Sequence, residues 1–233
     1  MGFIMSNAVY TEKYKQHLNF FTPLFTFHYF KGKEERSLSD GYILIINEYA
    51  GEIDGLNLCG CECLLKFDRK IIANWRSVDN SSNFYKIIKH SNGKEYLIFR
   101  QDLYGYSVLD IKLGTIMQFF PKKSLNGGET FIWTGVEYNE TTNVLAVSGC
   151  YWACPYSLHL FTFDNPMSEN QKFVDLMENF HDGYDAYDDV SFENWSDGDL
   201  HVIRYIIDAK ANEKVLITQS EYLTWLRENA QEL

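Results

Sequence analysis

A short phrase that occurs four times along the chain constrains the fold more than any other feature of the sequence. Each copy is an apolar, strand-like run that ends in Asp and is followed by turn-forming residues. The copies are Leu64–Asp68, Tyr106–Asp110, Leu160–Asp164 and Arg204–Asp208, so the steps between Asp residues are 110 − 68 = 42, 164 − 110 = 54 and 208 − 164 = 44. A period in this range is typical of repeated four-stranded β units. The sequence therefore predicts an all-β chain built from repeated antiparallel sheets.

The middle of the chain carries the repeat most clearly. A strand-like run over 84–89 leads into His90–Gly93, where Asn-Gly supplies the positive φ angles that a tight hairpin requires. Further strand-like runs follow, separated by short turns. We predict one β domain over 1–233, a C-terminal helix over 220–232 with Ser220 as its cap, and a few other short helices. The predicted repeat units are 24–70, 71–121, 129–166 and 188–218.

The order of strand, polar turn, strand, gap, strand and Asp-containing turn resembles a blade of a β-propeller of the broad WD40-like or YVTN-like kind. The residues that carry the resemblance are Ser91–Leu97 with Val108–Lys112, and Thr142–Val147 with Leu160–Asp164. It implies a propeller-like fold of about four units. A β-sandwich or an open β-barrel is the alternative. The Trp-Asp and Gly-His dipeptides of WD40 repeats are absent, and the resemblance assigns no catalytic residue.

Three segments outside the clearest repeats have their own local patterns. Leu24–Phe30 is an aromatic run that alternates enough to predict a strand. The Gly-containing segment 51–63 reads as an insertion into the first unit. Ser168–Phe180 places its apolar residues at helical spacing and therefore predicts a helix.

Charge and cysteine content limit the partners and the compartment. The net charge of −11 argues against a nucleic-acid partner or an anionic membrane, since both need clustered Lys and Arg. No apolar run is long enough to span a bilayer, and the first 20 residues lack the apolar core of a signal peptide. Five Cys, an odd number, fit reduced thiols. We predict a cytoplasmic protein with a protein or small-molecule partner.

Two cysteine clusters are candidate thiol sites. Cys59, Cys61 and Cys63 alternate along a strand-like run, so their sulfurs could share one face. Their spacing is not that of a zinc site, and packing of small apolar thiols is the alternative. Cys150 and Cys154 could combine with the first cluster, but they lack the two-residue spacing of a redox pair.

Aromatic residues in and before the insertion 149–156 are candidates for a ligand pocket. Tyr151, Trp152 and Tyr156 lie between Gly149 and the strand after Pro155, and aromatics in such an insertion can line a pocket. Their alternative role is a hydrophobic plug. Glu129 precedes the apolar strand that contains Trp133, and its carboxylate could act as a general base or contact a polar ligand.

An acidic stretch over 182–189 is a candidate metal site. Asp182, Asp185, Asp188 and Asp189 offer the carboxylate oxygens that calcium prefers. They do not follow the EF-hand register, and a solvated acidic loop is the alternative. No cofactor is otherwise indicated, so the alternatives are an unknown cofactor and none.

Two functions follow from these observations. The first is a binding or scaffold module for an unknown ligand, because the repeat is clear and no zincin, nucleophile-elbow, Walker or Rossmann motif is present. The alternative is a metal-assisted hydrolase, for which Glu129 and the acidic stretch, or the thiols, would have to converge. A structural role through exposed edges of terminal strands is a third possibility.

Overall fold

The computed structural model describes residues 6–78, 84–152 and 155–232, and these are mostly β-strand in antiparallel sheets, one of which curls into a half-barrel. The chain divides into two compact units. The N-terminal unit comprises Asn7–Lys89 and Gly93–Gly128. The C-terminal unit consists mainly of His90–Asn92 and Glu129–Leu233. The predicted antiparallel, mainly β architecture is confirmed, whereas the single-domain boundaries stay a prediction.

The N-terminal unit contains two four-stranded sheets, each with its strands in chain order. The helices are α1 (Glu12–Phe21), which the hydroxyl of Thr11 caps, and α2 (Lys122–Leu125). The first sheet contains β1 (Phe30–Ser37), β2 (Ile43–Ile53), β3 (Leu56–Phe67) and β4 (Lys70–Ser77), and the second contains β5 (Tyr85–Lys89), β6 (Glu95–Phe99), β7 (Tyr106–Asp110) and β8 (Thr115–Phe119).

The C-terminal unit is built on one larger sheet with the strand order β15-β14-β13-β11-β10-β9, and β12 and β16 extend from β11. Its strands are β9 (Ile132–Asn139), β10 (Val144–Cys150), β11 (Tyr156–Thr162), β12 (Lys172–Asp175), β13 (Tyr187–Ser196), β14 (Asp199–Ile206), β15 (Ala211–Ile217) and β16 (Gln231–Glu232). Its helices are α3 (Leu176–Asn179), α4 (Gly183–Ala186) and α5 (Gln219–Glu228).

The repeated Asp marks one position in four consecutive meanders, β1–β4, β5–β8, β9–β12 and β13–β15. Asp68, Asp110, Asp164 and Asp208 each end or follow the penultimate strand of their meander. Asp110 shows why Asp suits this place, because its carboxylate accepts the Leu113 N–H at 3.0 Å and binds Lys94 at 2.9 Å. Asp side chains commonly stabilise turns in this way.

Two local predictions in the N-terminal unit are wrong. Leu24–Phe30 is not a strand: 3₁₀ turns occupy Thr22–Leu24 and Phe27–Tyr29, and β1 begins only at Phe30. Pro23 at the start of the first turn fixes φ and removes a ladder donor. The segment 51–63 is no insertion, because β2 and β3 run through it as one hairpin that turns at Asp54 and Gly55 with φ of 52° and 79°.

Two predictions in the C-terminal unit also need correction. Ser168–Phe180 contains β12 followed by the short α3, because pairing of β12 with β11 overrides the helical spacing of its apolar residues. The C-terminal helix exists, but it covers Gln219–Glu228, and Gln231–Glu232 forms β16. Its cap is Thr218 instead of Ser220, in a capping box with Glu221.

Each unit has its own apolar core. In the N-terminal unit, β2, β3 and β4 bury Leu44, Leu65 and Trp75 against residues of β6 and β7. In the C-terminal unit, Leu158 and Leu160 of β11 pack with the apolar face of α5 and with the neighbouring strands. Within the described ranges, no helix has both the length and the apolar character needed to cross a membrane.

Candidate functional site

A cavity of about 680 Å³ lies in the N-terminal unit, bordered by α1, the first sheet and the connections around β6 and β8. This volume is within the range of about 300–1,000 Å³ that small-molecule sites occupy. Its aromatic lining comes from Tyr14, Phe25 and Trp75. Its amide lining comes from Asn47, Asn74, Gln101 and Gln118.

The pairing of β3 with β4 places most of the polar wall. Opposite Glu62 stands Arg76, and opposite Leu64 stands Asn74. Arg76 binds the Glu62 carboxylate at 2.6 Å, and the Tyr49 hydroxyl donates to the same carboxylate at 2.9 Å. Glu62 and Arg76 are the charged residues among the described lining residues, and because they pair with each other, the wall carries no net charge.

The guanidinium of Arg76 also lies over the ring of Phe25, 4.6 Å from its centroid. Such a cation–π contact holds the aromatic ring and the cation in a fixed relative position. Phe25 comes from the segment that the sequence predicted to be a strand, so the 3₁₀ turns there serve to bring an aromatic ring to the cavity.

Hydrogen bonds tie α1 to the opposite wall of the cavity. The Gln118 amide donates to the Tyr14 hydroxyl, which itself donates to Asp102 at 3.5 Å. His17 lies 2.9 Å from the same Asp102 carboxylate, which is buried. Burial, and then the Asp102 charge, raise the pKa of Tyr14, so its hydroxyl stays protonated and able to donate.

Trp75 alternates with Asn74 and Arg76 along β4, so its ring lies on the core-facing side of that strand. It is buried and packs on Phe99, with ring centroids 4.3 Å apart. Among the described residues, its indole N–H has no hydrogen-bond acceptor. A buried donor without an acceptor costs free energy. Such a group in a native structure calls for an explanation other than stability.

Two of the three clustered cysteines lie side by side next to this cavity. Cys61 and Cys63 are buried, their sulfurs are 3.6 Å apart, and Cys63 lines the cavity. The Tyr85 hydroxyl is 3.4 Å from the Cys63 sulfur. A hydrogen bond from Cys63 lowers the pKa of the Cys61 thiol, while that same bond, with burial, raises the pKa of Cys63. Cys59 is only half-buried.

A second polar cluster lies in the C-terminal unit, around Asp175 at the end of β12. The buried Asp175 carboxylate accepts hydrogen bonds from the Ser157 and Tyr184 hydroxyls, both at 2.6 Å, and from the Met177 N–H at 2.9 Å. The pairing of β11 with β12 sets His159 directly opposite Asp175. Ser157 lies two residues before His159 and therefore on the same face of β11.

His159 is held by stacking more than by hydrogen bonds. Its ring stacks on the rings of Phe131 and Phe173, at centroid distances of 3.6 Å and 5.1 Å, and both interplanar angles are 14°. Its Nε2 is 3.3 Å from an Asp175 oxygen, which is an ion-pair distance, yet among the described residues neither ring nitrogen has a hydrogen bond of good geometry. Ser157 donates to Asp175 instead of to His159, so the cluster lacks the nucleophile–base contact of a Ser-His-Asp triad.

The Asp175 cluster makes the C-terminal unit sensitive to acid. Burial alone would raise the pKa of Asp175, but His159, Ser157 and Tyr184 outweigh it and hold the pKa below its ordinary value of 3.8. The unfolded chain therefore binds this proton more readily, and stability present above about pH 4 is lost as the pH falls through the folded pKa.

We expect the free energy of unfolding, measured in urea at successive pH values, to fall below about pH 4 more steeply for the wild type than for Asp175→Asn, which cannot titrate. The variant is less stable at pH 7, so the two curves should approach each other in acid. Parallel curves would show that Asp175 titrates alike in the folded and unfolded chains.

No family model, curated protein or solved structure matches the chain.

The aromatic candidates take up different environments. Trp133 is buried and packs on Phe161 at 4.9 Å. Tyr151 is half-buried and contacts Phe131, whereas Trp152 and Tyr156 are 66% and 51% exposed. Glu129 is exposed at the beginning of the C-terminal unit. Trp133 therefore belongs to the packed interior, and ligand binding by this set stays a prediction.

The acidic stretch and the aromatic insertion meet at one point, since Tyr156 pairs with Asp189 in a parallel bridge between β11 and β13. Asp182, Asp185, Asp188 and Asp189 are all exposed. Burial and then the Asp188 charge raise the pKa of Asp189.

Within the part of the chain that the structure describes, no three His, Cys, Asp or Glu side chains form a group able to hold a metal ion. Calcium binding stays a prediction, and no observation favours the metal-assisted hydrolase. Cys150 is half-buried, and Cys154 lies outside the described residues.

Proposed function

We propose that the protein is a binding module and that a small molecule occupies the cavity of the N-terminal unit. The cavity of about 680 Å³, with aromatic and amide groups in one wall, is the observation that supports this function. Few polar groups among aromatic ones are typical of ligand sites, because the rings supply contact area and the amides fix orientation.

The chemistry of the lining favours a neutral ligand with a ring and several hydrogen-bonding groups. Glu62 and Arg76 neutralise each other, so a charged ligand would find no unpaired counter-charge in the described wall. The amides of Asn47 and Asn74 each carry a donor and an acceptor. Gln101 already binds the Arg76 carbonyl and the Ser107 hydroxyl, and Gln118 already donates to the Tyr14 hydroxyl. Phe25 offers a ring against which a sugar or a base can pack. Monosaccharides and nucleosides are the compounds with these properties.

Saturation-transfer NMR on the full chain, with a panel of monosaccharides and nucleosides, tests this function. We expect at least one compound of the panel to bind the wild type. Asn74→Trp would place a large side chain in the cavity wall, at a strand position where Trp is well tolerated, and is expected to remove the signal. Trp152→Ala, far along the chain in the exposed aromatic insertion, is the matched control and is expected to keep it.

The opposite pattern, in which Trp152→Ala removes the signal and Asn74→Trp keeps it, would move the binding site to the aromatic insertion. No signal for any compound of the panel would contradict the proposed ligand class. Circular dichroism of both variants separates a loss of binding from a loss of fold.

The propeller-like architecture is part of the same proposal. It is supported by four consecutive antiparallel meanders and by the shared place of Asp68, Asp110, Asp164 and Asp208 in them. A β-sandwich or an open barrel fits the same sheets. Cys59 and Cys63 form no disulfide among the described residues, which is consistent with a reducing, cytoplasmic compartment.

A further inference from the structure

The paired thiols of β3 have a geometry that one soft ion can use. Cys61 and Cys63 project from the same face of the strand, and their sulfurs are 3.6 Å apart. Metal–thiolate bonds are about 2.3 Å long in zinc sites, so two such bonds reach farther than this separation. A single ion can therefore contact both sulfurs with a bent arrangement, or with a straighter one after a small outward motion of the side chains.

The number of donors decides which ion suits the pair. Zinc requires about four ligands, and no third His, Cys, Asp or Glu joins the two thiols among the described residues. Hard cations such as calcium and magnesium require oxygen ligands. Cu(I) prefers soft thiolates and can be satisfied by two of them, since its single positive charge requires fewer donors than the double charge of zinc.

We propose that Cys61 and Cys63 form a two-thiolate site for Cu(I). The ion replaces both thiol protons, which leave to solvent, and no electron is transferred. Cys63 is among the residues that border the cavity, and its sulfur lies on the core-facing side of β3. The Tyr85 hydroxyl, 3.4 Å from that sulfur, can donate to the bound thiolate and stabilise it.

The surroundings of the pair favour a soft ion over a hydrated one. Both cysteines are buried in the apolar core of the first sheet, beside Leu44, Leu65 and Trp75. Exclusion of water removes a competing ligand and limits the access of oxidants. Solvent access of this kind is one of the properties that control a metal site. The exposed fraction of Cys59 is larger, so the third thiol of the cluster lacks this environment.

Anaerobic titration of the full chain with Cu(I), in competition with bathocuproine disulfonate, tests the site. We expect the wild type to take one Cu(I) per chain from the chelator. Cys61→Ser and Cys63→Ser should each weaken binding by at least about 10-fold, because each removes one of two ligands. Cys59→Ser, on the same strand and two residues away, is the matched control and should bind as the wild type does.

Retention of Cu(I) by Cys61→Ser and Cys63→Ser, or equal loss in Cys59→Ser, would overturn the proposal. If the serine variants fail to fold by circular dichroism, X-ray absorption of Cu(I) bound to the chain with Cys59, Cys150 and Cys154 replaced by Ser decides. Two sulfur neighbours of the ion are expected, and coordination by nitrogen or oxygen, or no bound Cu(I), would overturn the proposal. No monosaccharide or nucleoside is present in either measurement, so the result is independent of the proposed ligand-binding function.

Discussion

Replacement of Asp175 by Ala is expected to lower the free energy of unfolding of the C-terminal unit by about 3–5 kcal/mol, the cost of removing one partner from a buried ionic cluster. The carboxylate accepts from Ser157, Tyr184 and Met177 and faces His159. Its loss leaves the buried Ser157 hydroxyl and the Met177 N–H without this acceptor, and each such group costs about 1–3 kcal/mol. Tyr184 is 37% exposed, so its hydroxyl can turn to water. It also removes the side-chain cap of α3.

Urea unfolding followed by circular dichroism measures this effect, and an exposed carboxylate of the same unit provides the control. Asp188→Asn should change stability by no more than about 0.5 kcal/mol, as is usual for surface substitutions. Asp175→Asn should fall between the two, because its amide oxygen can still accept from Ser157 or Met177. A loss of less than about 1 kcal/mol in Asp175→Ala would show that the cluster is a site of water entry instead of a buried network.

The sequence predicts the fold best where short-range signals decide the structure. The strands of the second and third meanders follow from alternating apolar residues and from turn residues such as Asn92 and Gly93. The repeated Asp is likewise readable, because an Asp that binds the backbone of its own turn, as Asp110 does with Leu113, requires no distant partner.

Some other elements depend on contacts between distant segments, and there the sequence gives wrong predictions. The apolar spacing of Ser168–Phe180 satisfies a helix, but Phe173 pairs with Phe161 on β11, and this pairing decides the structure. The candidate sites also depend on contacts between distant segments. Ser157 and His159 alternate visibly along a strand, yet only the pairing of β11 with β12 brings Asp175 to them.

The cavity was equally hidden, since no motif links α1 to β4 in the sequence. Its polar wall comes from cross-strand neighbours such as Glu62 and Arg76, whose register is visible only in the folded sheet. The cysteines are the exception. Their alternation predicted a shared face, and the distance between the Cys61 and Cys63 sulfurs agrees with that prediction for two of the three.

Replacement of Gly105 by Ala is expected to destabilise the N-terminal unit by about 3–5 kcal/mol, which combines a positive φ with a collision. Gly105 has a φ of +78°, and a Cβ there would lie 2.0 Å from the carbonyl oxygen of Phe119. That oxygen belongs to β8, so it cannot move aside as a flexible side chain would. Either β8 or the connection between β6 and β7 must shift, and both border the packed core.

Gly93→Ala separates the two causes, because Gly93 has nearly the same φ, +79°, with no atom within 4 Å of the added Cβ. It should cost only the left-handed backbone term of about 1–2 kcal/mol. Urea unfolding of both variants gives the difference, which is the cost of the close approach to β8. Equal losses of stability in the two variants would mean that the end of β8 shifts at no measurable cost. The sequence predicts a turn at both glycines, so this difference measures what only the tertiary structure contains.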